Sequence, residues 1–279
     1  METVLTPESS VRQPDRLLRS MARDVAASSV LFRQLLLRNL RYGYRQSLLG
    51  VTWAFIPPVA IAGAFVLMGR SKVLSVGTTS IPYPAYVTIS VILWQTFAEA
   101  VNAPIGAVAE SRSLLARLNF PCEAVLFAKV AEVGLNLVVK LALVGAVIWW
   151  YSLPVGWTVA LVPPAATSLI LFGTFVGMIL APVGLLYRDI PRAIPILLLF
   201  WMFVTPVVVP VPEHGLFASL VRLNPLSVLV VTVRELATAQ RVSSIGTFLV
   251  VVAVSLVGNT LGLITMRLAM PYVAERASG

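Results

Sequence analysis

Residues 124–151 read AVLFAKVAEVGLNLVVKLALVGAVIWWY, and this stretch decides the fold class. Three charged residues, Lys129, Glu132 and Lys140, interrupt an otherwise apolar run. A helix needs about 20 mainly apolar residues, at about 1.5 Å each, to cross the ~30 Å hydrocarbon core of a bilayer. The stretch therefore predicts a transmembrane helix.

The composition of the whole chain agrees with this prediction. Of 279 residues, 58% are hydrophobic and 12% are charged, against about 25% charged residues in an average soluble domain. The mean hydropathy is +0.89. A soluble protein of this size has too little interior to hide so much apolar surface. The composition therefore excludes a soluble enzyme, a disordered chain and a disulfide-stapled secreted domain, and it predicts a polytopic membrane protein.

The reactive side chains exclude several kinds of site within one chain. There is one histidine, His214, and one cysteine, Cys122, too few for a His/Cys metal cluster, a disulfide framework or a Cys-His catalytic pair. The three lysines, Lys72, Lys129 and Lys140, do not stand in a G-x-x-x-x-G-K-[ST] phosphate loop. We therefore expect no catalytic residue, metal or cofactor in this chain, and we expect any ATP and Mg²⁺ to be bound by another chain.

Apolar segments along the chain predict an all-α membrane protein with six transmembrane helices. Each segment is long enough to cross a bilayer. The predicted spans are 48–69, 84–109, 124–151, 157–187, 190–211 and 245–268. Prolines inside them, among them Pro104, Pro182 and Pro195, predict local kinks.

The polar flanks predict three further segments. Residues 1–27 are arginine-rich and predict a cytoplasmic tail, and residues 271–279 predict a second one. Residues 28–46 predict an amphipathic interface helix, the alternative being a cytosolic helix packed on a partner. On that helix one face carries Phe32, Leu36, Leu40 and Tyr44, and the opposite face carries Arg38, Arg41 and Arg45.

Residues 212–244 contain two short apolar patches, each too short to cross, with Asn224 and Pro225 between them. Because Asn-Pro favours a chain reversal, this segment predicts a re-entrant helix pair before the last span.

The positions of the basic residues indicate the orientation. With both termini in the cytoplasm, 14 of the 21 basic residues fall in inner segments and five in outer segments. The inner ones are Arg12, Arg16, Arg19, Arg23, Arg33, Arg38, Arg41, Arg45, Arg112, Arg117, Arg188, Arg192, Arg267 and Arg276, and the outer ones are Arg70, Lys72, Arg222, Arg234 and Arg241. This bias follows the positive-inside rule. It accounts for most of the net charge of +9 without a nucleic-acid partner.

Four ionisable residues fall at membrane depth, where charge is costly and often functional: Glu99, Lys129, Glu132 and Lys140. Lys129 and Glu132 are three residues apart and are expected to pair locally. Lys140 has no partner on its own helix. Three environments are open for Lys140: it snorkels toward the membrane surface, faces Glu99 or faces a pore. An ion-coupled carrier would need ionisable groups at membrane depth, so a carrier function stays open.

Aromatic residues gather at the predicted outer ends of the spans. Trp149, Trp150, Tyr151 and Trp157 surround the outer turn 152–156, and Tyr83 and Tyr86 begin the second span. Such residues are typical of membrane interfaces. The alternative is that some of them line a path for sugars.

Two inner loops are candidates for contact with a cytosolic partner. Residues 110–121 combine charge with Leu114, Leu115 and Leu118 and end at Pro121, which predicts a docking helix rather than a plain turn. In the short loop 187–192, Asp189 is expected to cap the following helix.

Seven sequence pieces then occur in one order. They are Arg41-Tyr42-Gly43-Tyr44-Arg45-Gln46-Ser47-Leu48-Leu49-Gly50 leading to Trp53-Ala54 and Pro57, Pro82-Tyr83-Pro84, Leu93-Trp94-Gln95-Thr96-Phe97, Phe120-Pro121-Cys122-Glu123, Tyr187-Arg188-Asp189-Ile190, Thr205-Pro206-Val207 and Leu223-Asn224-Pro225-Leu226. With these pieces the chain resembles the membrane subunit of a type-2 ABC exporter, of the O-antigen, teichoic-acid and cell-wall polysaccharide group. The resemblance covers roughly residues 31–270.

The resemblance implies a homodimer in the bacterial inner membrane, with two copies of a cytosolic ABC ATPase subunit beneath it. Its substrate would be a lipid-linked polysaccharide of O-antigen, teichoic-acid or galactan type. The implied ATPase-coupling residues are Arg38, Arg41, Arg45, Arg112, Leu114, Leu115 and Arg117. The implied inner gate is Tyr187, Arg188 and Asp189, the outer gate is Asn224 and Pro225, and Trp53, Trp94, Phe97, Glu99, Lys129, Glu132 and Lys140 are candidates for the channel or for membrane depth. The chain departs from the family pattern in the position of Arg117 and in the extra acid Glu110.

Three rival functions remain open at this point. A small-molecule or drug exporter of the same superfamily would have the same architecture. An ion-coupled carrier would use Glu99, Glu132 and Lys140. A membrane glycosyltransferase would need a base such as Asp189, but no companion acidic motif accompanies it.

Overall fold

A computed structural model describes residues 32–39, 56–70, 79–115, 122–187, 189–210 and 214–278. Helix is the regular secondary structure of these residues, and no strand occurs among them. The helices are α1 (32–39), α2 (Ile56–Arg70), α3 (Tyr83–Leu115), α4 (Cys122–Trp150), α5 (Val162–Leu186), α6 (Ile190–Val204), α7 (Leu216–Leu223), α8 (Pro225–Ala237) and α9 (Ile245–Ser278), with a 3₁₀ turn at Trp157–Leu161 before α5.

Several helix ends differ from the predicted spans. Helix α3 runs past the predicted end at 109 to Leu115, so the first half of the predicted docking segment continues the span. Helix α6 ends at Val204 instead of residue 211, because Pro206 disfavours the helical conformation of Thr205, which is extended. Helices α3, α5 and α6 continue through Pro104, Pro182 and Pro195.

The described residues contain three helices that are long and apolar enough to cross a membrane: 123–150, 157–184 and 245–267. A fourth would be the bent pair of α7 and α8 if it counts as one span. Two shorter apolar helices, Ile56–Gly69 and Ile190–Val204, correspond to the first and fifth predicted spans. The all-α membrane class is therefore confirmed, whereas the count of six spans stays a prediction.

Helix α3 lies at the centre of the bundle and packs against α2, α4 and α5. Two glycines let α3 and α5 approach closely. A Cβ atom on Gly173 would lie 2.6 Å from Ala100 Cβ and 2.8 Å from the Phe97 carbonyl oxygen. One on Gly177 would overlap the Val101 carbonyl oxygen and lie 2.9 Å from Pro104 Cδ. Residues 173–177 are thus a small-xxx-small helix contact of the kind that joins membrane helices.

Helix α9 meets α5 through a second pair of glycines. Gly258 packs on the ring of Phe175, and Gly262 packs on Met178. Between them Asn259 donates to the Leu171 carbonyl oxygen at 2.7 Å and contacts Thr174 Oγ1 at 2.8 Å. Interhelical hydrogen bonds of this kind add to packing where lipid provides little hydrophobic driving force.

An aromatic cluster fills the core between α3, α5 and α6. Phe97 stacks on Phe172 at 5.6 Å between ring centroids, and Trp201 meets both rings edge-on. Other aromatic residues lie on the protein surface. Trp149, Trp150 and Trp157 are strongly exposed around the short turn that follows α4. This placement agrees with the membrane-interface interpretation of these tryptophans.

Candidate functional site

The candidate site is a groove between α3 and α4 that polar residues line. Its polar residues on α3 are Gln95, Glu99 and Asn102, and those on α4 are Lys129, Glu132 and Asn136. Each set recurs every three or four residues, which places it along one face of its helix. Two polar stripes therefore face each other on helices that are otherwise apolar.

The groove is open on one side and has a volume of about 390 Å³. Small or apolar residues, Ala98, Ala103, Gly106 and Val133, complete its lining. From Gln95 to Gly106 it extends about 16 Å at 1.5 Å per residue. Gln95 stands near the middle of α3, and Gly106 stands toward the end that carries the predicted docking segment.

A charged pair between Glu99 of the groove and the buried Lys140 joins the two helices. Lys140 Nζ lies 2.8 Å from Glu99 Oε1. The Lys140 side chain is 2% exposed, whereas that of Glu99 is 40% exposed. The Glu99 carboxylate therefore faces the groove, and the Lys140 ammonium group is buried in the protein interior. Asn136 Nδ2 also lies 3.5 Å from Glu99 Oε2. Of the three predicted environments for Lys140, the structure shows the pairing with Glu99.

A network of ion pairs closes the other end of the groove. Arg38 of α1 pairs with Glu110 of α3. Lys129 lies 3.6 Å from Glu110 and 3.9 Å from Glu132, which confirms the predicted local Lys129–Glu132 pair. Asn39 Nδ2 lies 3.5 Å from Glu132 Oε2. Lys129 thus contacts both the groove and the first residue of the predicted docking segment.

Helix α1 is held at this end by apolar contacts as well as by charge. Leu35 is buried in a cluster that includes Val108, Val125 and Met266, and Phe32 packs beside it. Within 32–39 the deepest residue is therefore Leu35 rather than Leu36 of the predicted apolar face. Arg38 turns toward the protein, because Glu110 offers it a carboxylate.

The predicted outer gate is built around Asn224. Helices α7 and α8 meet there at a bend of 77°, and the re-entrant arrangement of the pair stays a prediction. The Asn224 side chain accepts from the Leu226 backbone N–H and from Trp201 Nε1, both at 3.1 Å, and donates to Thr205 Oγ1 at 2.9 Å. One amide therefore caps α8 and ties the bend to α6. Pro225 takes the first position of α8, where its missing N–H is not needed.

Arg234 of α8 is buried, although its sequence position suggests an outer loop. Its guanidinium group donates to Ser90 Oγ at 2.8 Å and to the Pro206 carbonyl oxygen at 3.1 Å. It also lies 4.0 Å from the centre of the Tyr86 ring, and the Tyr86 hydroxyl donates to the same Pro206 carbonyl at 2.9 Å. These contacts of Arg234 and Tyr86 join α3, α8 and the segment after α6.

No protein-family model matches the chain, but a curated relative has a similar sequence. The relative is the O-antigen export system permease protein RfbA of Myxococcus xanthus, with 27% identity over 143 residues, which is 51% of this chain and 54% of the relative. This similarity confirms the resemblance to type-2 ABC exporter permeases. The chain spans about half the length of the relative that it matches. Together with the apolar helices, the similarity supports an integral membrane protein.

The other predicted site residues take up varied positions. Phe97 is 0% exposed, so within the described residues it is a core residue with no surface to offer to a channel. Trp94 is half-buried beside the same core. Tyr187 is exposed at the turn between α5 and α6, and Asp189, two residues further along the chain, is exposed as well.

Asp189 stands at the N-cap position of α6 but makes no side-chain capping bond, so the predicted capping role is wrong. Its carboxylate lies 3.9 Å from Arg192 instead, and both side chains are well exposed. The helix start relies on Pro191 in its first turn, whose fixed φ suits that position.

Several predicted residues lie outside the part of the chain that the structure describes. They are Arg41, Arg45, Trp53, Arg117 and Arg188. For Arg112, Leu114 and Leu115 the backbone is helical and the side chains are not described. The predicted tail 1–27 is also outside the described residues.

Sequence reasoning missed the groove amides Gln95, Asn102 and Asn136, the buried Arg234 and the helix-contact glycines. The spacing of polar residues on two predicted spans was the available signal for the amides. The patterns at 173–177 and 258–262, Gly-Thr-Phe-Val-Gly and Gly-Asn-Thr-Leu-Gly, were the signal for the glycines. No local pattern marks Arg234, because its contacts with Tyr86 and Ser90 join distant parts of the chain.

Proposed function

We propose that this chain is the membrane permease of an ATP-driven exporter for a lipid-linked polysaccharide. The observation that carries the proposal is the similarity of half the chain to an O-antigen export permease. The assembly would be a homodimer with two copies of a separate ABC ATPase subunit. It would sit in the bacterial inner membrane with both termini in the cytoplasm.

The structure supports this proposal through the placement of its polar residues. A hydrogen-bonding groove at membrane depth is costly in lipid and is therefore expected to serve a substrate. The groove leads toward Glu110, where the predicted docking segment begins. The chain has no phosphate loop, so a separate subunit would supply the energy.

Depletion of the chain is expected to make lipid-linked glycan accumulate on the cytoplasmic side of the membrane. Polymer synthesis would continue while its exit stopped. The measurement is the amount of lipid-linked glycan in spheroplasts, inside and outside, before and after depletion, with a depleted strain carrying the plasmid-borne chain as control. Unchanged glycan together with sensitivity to a drug would favour a small-molecule exporter instead.

An ion-coupled carrier is the second candidate, because Glu99 and Lys140 form a charged pair at membrane depth. This rival predicts that export survives loss of the ATPase and stops with a protonophore. The proposed exporter predicts the opposite for both treatments. Both treatments applied to one strain separate the two candidates.

Charge reversal at two docking arginines, Arg112→Glu with Arg117→Glu, is expected to uncouple the permease from its ATPase. Docking against an acidic or polar partner surface would lose its charge complementarity. We expect export to fall at least about tenfold while the amount of protein in the membrane stays normal. The measurements are export and co-purification of the ATPase.

Arg241→Glu is the matched control for this pair, because Arg241 is an exposed arginine of a predicted outer segment, on the side of the membrane away from the ATPase. It should leave ATPase binding intact. Normal export by the Arg112/Arg117 double variant would contradict the docking assignment and leave the permease assignment in place.

A further inference from the structure

We propose that the α3/α4 groove binds the sugar residues that lie next to the lipid anchor of the exported glycan. This inference rests on the proposed function, because it assigns one part of that substrate to a defined site. The groove would bind a short neutral segment of the glycan rather than the lipid phosphate or the repeating polymer.

The charges of the groove disfavour a phosphate as its ligand. The charged residues that line the groove are one lysine, Lys129, and two carboxylates, Glu99 and Glu132. Just outside the lining, Lys140 pairs with Glu99, and Arg38 and Lys129 pair with Glu110. Each cation already contacts a carboxylate, and Lys140 is almost wholly inside the protein. An entering phosphate would therefore meet no net positive charge, and it would be repelled by the half-exposed Glu99.

The hydrogen-bonding groups of the groove suit hydroxyl groups. Gln95 makes no hydrogen bond with the described residues, and Asn102 uses one N–H to bond the Ala98 carbonyl oxygen at 2.8 Å. The amides of both residues keep donors and acceptors for a ligand. The exposed part of the Glu99 carboxylate adds acceptors. Sugar hydroxyls donate and accept together, so they match this mixture better than an apolar or purely anionic molecule does.

The floor of the groove is smooth. Ala98, Ala103, Gly106 and Val133 leave room between the polar stripes, and they offer a shallow apolar surface to the C–H face of a sugar ring. No aromatic residue is among the lining residues. Recognition here would thus depend on hydrogen bonds rather than on ring stacking.

The size and position of the groove select the part of the glycan that it binds. A volume of about 390 Å³ is at the small end of ligand sites and holds a short segment, not a polymer. One end of the groove, at Gln95, lies near the middle of α3, and the other end, at Gly106, lies toward the predicted inner side. The lipid anchor holds the first sugars of the glycan at the membrane. Those sugars are the ones that can reach the groove.

Photo-crosslinking in the intact exporter tests this assignment directly. We would place p-benzoylphenylalanine at position 102 in cells that make their natural glycan, and at position 138 as the control, because Val138 is exposed on α4 outside the groove lining. We expect adducts that carry both lipid and sugar at 102, and adducts with bilayer phospholipid alone at 138. Phospholipid adducts alone at both positions would overturn the proposal.

A double substitution, Gln95→Leu with Asn102→Leu, tests the same site by function. We expect the apparent KM for the natural lipid-linked glycan in reconstituted exporter to rise about tenfold, as expected for one or two lost neutral hydrogen bonds. Asn102→Gln should keep most of the affinity. Thr88→Val on α3 is the matched control, because the Thr88 hydroxyl bonds its own helix at Pro84 and lies outside the groove lining.

The failure of this inference and that of the proposed function are distinguishable. Glycan that accumulates on depletion, combined with a normal KM in the double variant, would overturn the groove assignment alone. Glycan that does not accumulate on depletion would overturn the exporter proposal itself.

Discussion

A Gly177→Leu substitution is expected to remove most of the folded protein from the membrane. A Cβ atom at this position would overlap the Val101 carbonyl oxygen and lie 2.9 Å from Pro104 Cδ. Neither neighbour is the flexible end of a side chain, because one is backbone and the other is a ring in the same helix. Helices α3 and α5 would have to separate, and overpacking of this severity costs about 3 kcal/mol or more. The measurement is the yield of monodisperse protein after detergent extraction.

Gly145→Leu is the matched control for this experiment. Gly145 is an exposed glycine of α4, and a Cβ atom there would have no heavy atom within 4 Å. The same increase in side-chain size should therefore be tolerated, and exchange of a helical glycine even gains helix propensity. Equal yields of the Gly177 and Gly145 variants would refute the close contact between α3 and α5.

The parts of the fold that were predictable from sequence depend on local patterns. Hydropathy located α4, α5 and α9, since the cost of exposing polar backbone in lipid acts on each segment separately. The break between α7 and α8 at Asn224-Pro225 was predictable because the Asn cap and the Pro at the first helical position are local preferences.

The remaining features depend on how the helices are rotated and placed. Whether Lys140 meets Glu99 is set by the rotation of α3 and α4 about their axes, which sequence spacing within one helix does not give. The burial of Arg234 depends on Tyr86, Ser90 and the Pro206 carbonyl, which come from three separate segments. Likewise the pattern at 173–177 marks a helix contact, but it does not name Pro104 and Ala100 as the residues contacted.

The same reasoning limits prediction of the candidate site. The four ionisable residues at membrane depth were identified because charge in lipid is rare. The uncharged amides beside them carry no such signal, since an isolated Asn or Gln costs less in a membrane helix. Only the structure identifies these amides as site residues, because it places the two polar stripes on the same groove.

Removal of the Glu99 carboxylate is expected to destabilise the protein more than removal of the Lys140 ammonium group. Glu99→Gln leaves the ammonium group, 2% exposed, without the carboxylate 2.8 Å away. Breaking a fully buried pair in this way costs about 3–5 kcal/mol; because Glu99 is 40% exposed, we expect roughly half of that. Lys140→Met deletes the buried charge itself and replaces it with an apolar chain of similar length, while Glu99 keeps its access to the groove.

The double variant Glu99→Gln/Lys140→Met should therefore be more stable than Glu99→Gln alone, although it carries one more substitution. Thermal unfolding of the purified protein in one detergent would give the order, with the Tm of Glu99→Gln the lowest by several degrees. Lys129→Met is the matched control, because Lys129 is a partly exposed lysine of the same helix with carboxylates 3.6 and 3.9 Å away, and its loss should change Tm less. A double variant less stable than Glu99→Gln would mean that the ammonium group of Lys140 is held by something other than Glu99, and the pair would then not be the contact that joins α3 to α4.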